Sequence, residues 1–112
     1  MDRRIEAAVR IMHLESHRSL PVRELARRVN LSRWHFTHLF KAEISLSPKH
    51  YMLSLKIKKA EELLSESFLT VKEIAATVGF ADRSHFSRDF RKACGHTPPD
   101  FRAHIRNKPP EH

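Results

Sequence analysis

Apolar residues recur at three- and four-residue spacings from one end of the chain to the other, and the strict alternation of a half-buried strand is nowhere found. The pattern predicts an all-α chain. Ile5, Ala8, Val9 and Met12 make the stripe of a first helix, which His17, Arg18 and Ser19 end. A short second helix is expected from about Val22 to Val29, with Leu25, Ala26 and Val29 inward and Arg23, Arg27 and Arg28 outward. Ser32 offers a capping hydroxyl to a third helix, whose inner face is Phe36, Leu39 and Phe40. Ser47-Pro48 opens a long helix, because serine caps free amides and proline is tolerated in the first turn. Its stripe runs through Leu53, Ile57, Ala60 and Leu64 to about Ser65.

The pattern then starts again. Leu20 to Tyr51 aligns with Leu69 to Phe101, first with a shift of 49 residues, as between Val22 and Val71, and after one insertion with a shift of 50, as between His35 and His85. Val22/Val71, Glu24/Glu73, Ala26/Ala75, Val29/Val78, His35/His85, Phe36/Phe86, Phe40/Phe90 and Pro48/Pro98 are identical. This is an internal duplication of a small helical unit. Its punctuation repeats too. Thr70 and Glu73 form a capping box, whereas the first copy keeps Glu24 but has Pro21 in place of the threonine. Asn30 and Gly79 stand at matching turns, and both tolerate the left-handed backbone that ends a helix sharply. Thr97-Pro98 mirrors Ser47-Pro48 and opens a last helix through Phe101 and Ile105, which Lys108, Pro109 and Pro110 cannot continue.

A short helix, a tight turn and a second helix, given twice, is the sequence form of a helix-turn-helix. In that arrangement the second helix enters the major groove, and the outward residues near its start reach base edges. In the first copy these are Arg33, Trp34, Thr37 and His38, and in the second Arg83, Ser84, Ser87 and Arg88. Arginine suits guanine, serine and threonine bond several edges, and an indole face suits a thymine methyl. The phenylalanines between them face the core.

Charge changes the picture in one direction. Lys and Arg number 21 against 13 Asp and Glu, a formal net charge of +8 with nine histidines uncounted, which favours a polyanionic partner. The one cysteine, Cys94, excludes an internal disulfide and reads as a small buried side chain in a cytoplasmic protein. No apolar run approaches the roughly 20 residues that span a bilayer, so no membrane partner is expected. His13 and His17 have a spacing that pairs on one helix face, but no acidic or cysteine ligand accompanies them, and His35 and His85 read as scaffold. Neither an enzyme nor a metal or cofactor site is expected. A basic helical module binding nucleic acid or protein without sequence specificity is the alternative.

From Ile5 to Arg106 the chain resembles the AraC-type transcription regulators, most specifically in IAATVGFADRSHFSRDFRKACGHTP and also in LARRVNLSRWHFTHLFK. The resemblance implies about seven helices in a single DNA-binding domain over 1–112. Subdomain one would span about 2–47, the connector helix about 48–65 and subdomain two about 69–106, with a tail at 107–112. It implies sequence-specific binding of promoter or operator DNA through two adjacent major-groove segments, about one helical turn or roughly 34 Å apart. Activation through RNA polymerase is implied as well. Two positions depart from the family: Ser45, where glycine is common, and Lys56, where arginine is usual. In longer members an effector or dimerisation domain precedes this one, and the abrupt start at the first helix favours that arrangement here.

Overall fold

The computed structural model describes residues 1–107. Among these there are seven helices and no strand: α1 (Arg3–Glu15), α2 (Val22–Arg28), α3 (Arg33–Ile44), α4 (Pro48–Glu66), α5 (Val71–Thr77), α6 (Arg83–Cys94) and α7 (Pro98–Arg106). The expectation about Lys108, Pro109 and Pro110 lies outside the described residues. The chain divides into two compact units, Met1–Lys56 and Ile57–His112, with the boundary inside α4.

In the first unit Ile5, Ala8, Met12, Leu25, Ala26, Val29, Phe36, Phe40 and Met52 pack into one core. The second unit buries Ile57, Ala60, Leu64, Ile74, Ala75, Val78, Phe86 and Phe90. Three expected core positions shift. Val9 and Leu39 are only half-buried, and on α4 it is Met52 that enters the core, with Leu53 half-buried. On α4 the buried positions of the first turns, Pro48 and Met52, lie four apart and one residue off the stripe through Ile57.

The duplication extends to ring geometry. Phe36 and Phe40 lie 5.6 Å apart between centroids, as do Phe86 and Phe90. Phe40 meets Tyr51 edge-on at 5.6 Å, and Phe90 meets Phe101 edge-on at 5.4 Å. The turns match as well. Asn30 and Gly79 are both left-handed, with φ of 59° and 98°. In each, the next amide bonds back to the α2 or α5 carbonyl five residues earlier, Leu31 to Ala26 and Phe80 to Ala75, both at 2.9 Å. This is the Schellman closure of a helix end.

Starts and stops follow the expected chemistry. Thr70 Oγ1 accepts from the Glu73 amide at 3.1 Å and Glu73 accepts from the Thr70 amide at 2.9 Å, which completes the box and lowers the Glu73 pKa. Pro21 gives α2 no side-chain cap. There Glu24 turns to Arg27 and Arg28 instead, at 2.6 and 3.3 Å. Ser45 adopts φ of 72° where Gly95 has 82°, so the departure from glycine leaves the turn intact. Arg102 donates to the Leu64 and Ser67 carbonyls at 3.1 and 3.3 Å, and Arg106 to Ser67 at 2.6 Å, closing the end of α4.

Several side chains sit otherwise than expected. Helix α1 stops at Glu15, so His13 and His17 do not share a helix face, and His13 Nε2 instead lies 2.9 Å from the Tyr51 hydroxyl. His35 and His85 are exposed, each one residue before the buried phenylalanine, but His85 packs edge-on against Phe80 at 5.4 Å, in keeping with a scaffold role. Cys94 is half-buried, its thiol donating to the His96 carbonyl at 3.6 Å.

Candidate nucleic-acid interface

Helices α3 and α6 are built alike. Each is 12 residues long and begins on a capped amide: Ser32 Oγ accepts from His35 N at 3.1 Å, and Asp82 Oδ1 from His85 N at 2.7 Å. Each buries two phenylalanines one turn apart on its inner side. The opposite side therefore points away from its own core. That side carries Arg33, Trp34, Thr37 and His38 on α3, and Arg83, Ser84, Ser87 and Arg88 on α6. Spacings of four residues place 33 with 37, 34 with 38, 83 with 87 and 84 with 88 on one face. Arg33, Trp34, His38, Arg83, Ser84 and Arg88 are exposed, while Thr37 and Ser87 are half-buried beside the inner face. The structure thus brings each quartet together within its own unit.

Ion pairing sets Arg27 and Arg28 of α2 apart from the arginines on the outward faces of α3 and α6. On α2, Arg27 and Arg28 are engaged by Glu24, and Arg28 also by Glu15, which holds both carboxylates below their usual range, Glu24 at about 2 chiefly through the bond from Arg27. Arg4 is similarly held by Asp2. Among the described residues Arg33, Arg83 and Arg88 form no ion pair. Their donors remain available to an outside anion or base edge. His85, beside them, is held by Asp89 at 3.1 Å.

Two contacts were not anticipated from the sequence. The Trp34 and His38 rings stack, with centroids 4.1 Å apart and planes 28° from parallel, and His38 Nδ1 lies 2.8 Å from the Trp34 carbonyl oxygen. The i, i+4 spacing of two aromatic rings was the available signal. Lys56 is half-buried and its pKa is lowered by that burial.

A family model described as a helix-turn-helix domain matches residues 25–104, and the chain belongs to this AraC-type helix-turn-helix family. The Msm operon regulatory protein of Streptococcus mutans is 36% identical over 98 residues, which cover 88% of this chain and 35% of that protein. The arabinose operon regulatory protein of Escherichia coli is 31% identical over 110 residues, 96% of this chain and 37% of that one. The chain thus spans about a third of the length of these relatives. Among solved structures, the DNA-binding domain of the global transcriptional factor AdpA, crystallised with a target DNA, matches with a TM-score of 0.90 at 26% identity, covering 96% of this chain and 97% of that one. No described helix is long and apolar enough to cross a membrane.

Proposed function

We propose that this chain binds promoter or operator DNA sequence-specifically and regulates transcription, inserting α3 and α6 into the major groove. Arg33, Trp34, Thr37, His38, Arg83, Ser84, Ser87 and Arg88 are the base-reading set. The observation that carries this reading is the repeated display, on two helices of equal length each capped by a side chain, of an outward face whose arginines have no carboxylate partner among the described residues. The match to a domain crystallised on its target DNA supports it. Phosphates are gripped by the surrounding lysines and arginines, and discrimination comes from the two faces. Activation through RNA polymerase completes the proposal, as the names of operon regulators among the relatives favour a promoter role.

Selection from a random duplex library at about physiological salt tests it, followed by a salt series on the enriched site. The expected result is a motif with two separate blocks of preferred bases. No enrichment, with binding that only falls steeply with salt, would mean a basic module without sequence readout.

A further inference from the structure

The contact between His38 and Trp34 fixes more than a ring position. A carbonyl oxygen only accepts hydrogen bonds, so with His38 Nδ1 at 2.8 Å from the Trp34 oxygen the proton of the neutral imidazole sits on Nδ1. Nε2 is then a bare acceptor. The stacked indole, 4.1 Å away, restrains the ring about the torsion that would break this bond. His38 is exposed on the outward face of α3, one turn beyond Trp34, which is itself 69% exposed. A side chain of this kind presents a definite polarity to whatever meets that face.

We propose that His38 is a specificity-determining residue that reads DNA as an acceptor, selecting a base whose major-groove edge donates, adenine through N6 or cytosine through N4, with Trp34 as its positioning residue. Guanine shows only acceptors in that groove, and thymine an acceptor and a methyl, so both are disfavoured opposite a bare Nε2. The proposal rests on the reading of α3 as a recognition helix. It assigns His38 the opposite polarity from the arginines beside it, which can only donate.

Two measurements test it. Nitrogen-15 long-range correlation of the imidazoles in the free chain at pH 8 is expected to show His38 as the Nδ1–H tautomer. An Nε2–H tautomer overturns the proposal without any DNA present. Library selection at the same pH is then run with the wild-type chain, His38→Ala, Trp34→Ala and Arg83→Ala. One position in the wild-type motif should prefer adenine or cytosine, lose that preference in His38→Ala and weaken it in Trp34→Ala. If it is adenine, purine lacking the N6 amino group should bind wild type about fivefold more weakly, and His38→Ala no more weakly. Guanine or thymine at the position sensitive to His38→Ala, or no such position, sinks the proposal. If the block sensitive to Arg83→Ala persists, base reading by α6 stands and only His38 is misassigned. Loss of every block brings down both.

Discussion

Single residues carry two kinds of burden here, conformational and chemical. Ser45 and Gly95 hold equivalent left-handed helix ends, but only glycine does so without a Cβ penalty of about 1 to 2 kcal/mol. Ser45→Gly should therefore raise stability by about 0.5 to 1 kcal/mol, the gain being trimmed by the freer unfolded chain, as read from the midpoint of a urea transition. A Cβ on Gly95 would meet nothing within 4 Å, so Gly95→Ala should cost only the backbone term, about 1 kcal/mol. A larger loss would mean a contact that the turn does not show. The chemical burden falls on Arg83 and Arg88. If each reads a base, Arg83→Ala or Arg88→Ala should cost about 1 to 3 kcal/mol on the enriched site and relax preference at one position. Loss that is equal on all sequences, with the salt slope reduced by about one, identifies a phosphate contact instead.

At the scale of helices, the two copies share apolar faces but not caps. Thr70→Ala removes a completed box and should cost about 1 kcal/mol, whereas Pro21→Ala removes no capping bond and should cost much less; paired urea titrations separate the two. Arg102 closes the end of α4 with charged hydrogen bonds to main-chain oxygens, and Arg102→Ala should cost about 1 to 2 kcal/mol because the side chain is half-buried. Elements of this kind were largely legible beforehand. Periodicity located the inner phenylalanines, and Ser32, Thr70, Asn30 and Gly79 announced starts and stops, because caps act between residues at most a turn or so apart. Asp82 as the cap of α6 and Arg102 as the closure of α4 were missed. The first is hidden by the single inserted residue, and the second joins residues 38 apart in sequence.

For the chain as a whole, the duplication was the most legible feature, since two copies of one core must repeat the same apolar and turn positions. The use of charge was legible only where a pair is local, as for Glu24 with Arg27. A formal charge of +8 treats Arg28 and Arg83 alike, yet Arg28 is bound by Glu15, 13 residues away, and Arg83 has no ion-pair partner among the described residues. For Arg28 it is the tertiary pair with Glu15 that marks a structural cation, whereas Arg27 is held by Glu24 three residues away. That allocation is uneven between the units. Asp2, Glu15 and Glu24 in the first, against Glu73 in the second, have folded pKa values below the ordinary carboxylate range, with Asp2 and Glu24 at about 2, held chiefly by Arg4 and Arg27. A lowered folded pKa means that the charged form favours the folded state. Such a contribution is complete above the unfolded value, near pH 4 to 4.5, and is withdrawn as the pH falls toward about 2. Acidification through that window should therefore loosen Met1–Lys56 more than Ile57–His112. Native-state amide exchange at pH 6 and pH 3, corrected for intrinsic rates, reads the two separately. The expected result is a greater loss of protection in α1 and α2 than in α5 and α6. Equal losses would show that the pairs around Glu15 and Glu24 are too solvated to stabilise the first unit, and that these arginines are as available to DNA as those of α3 and α6.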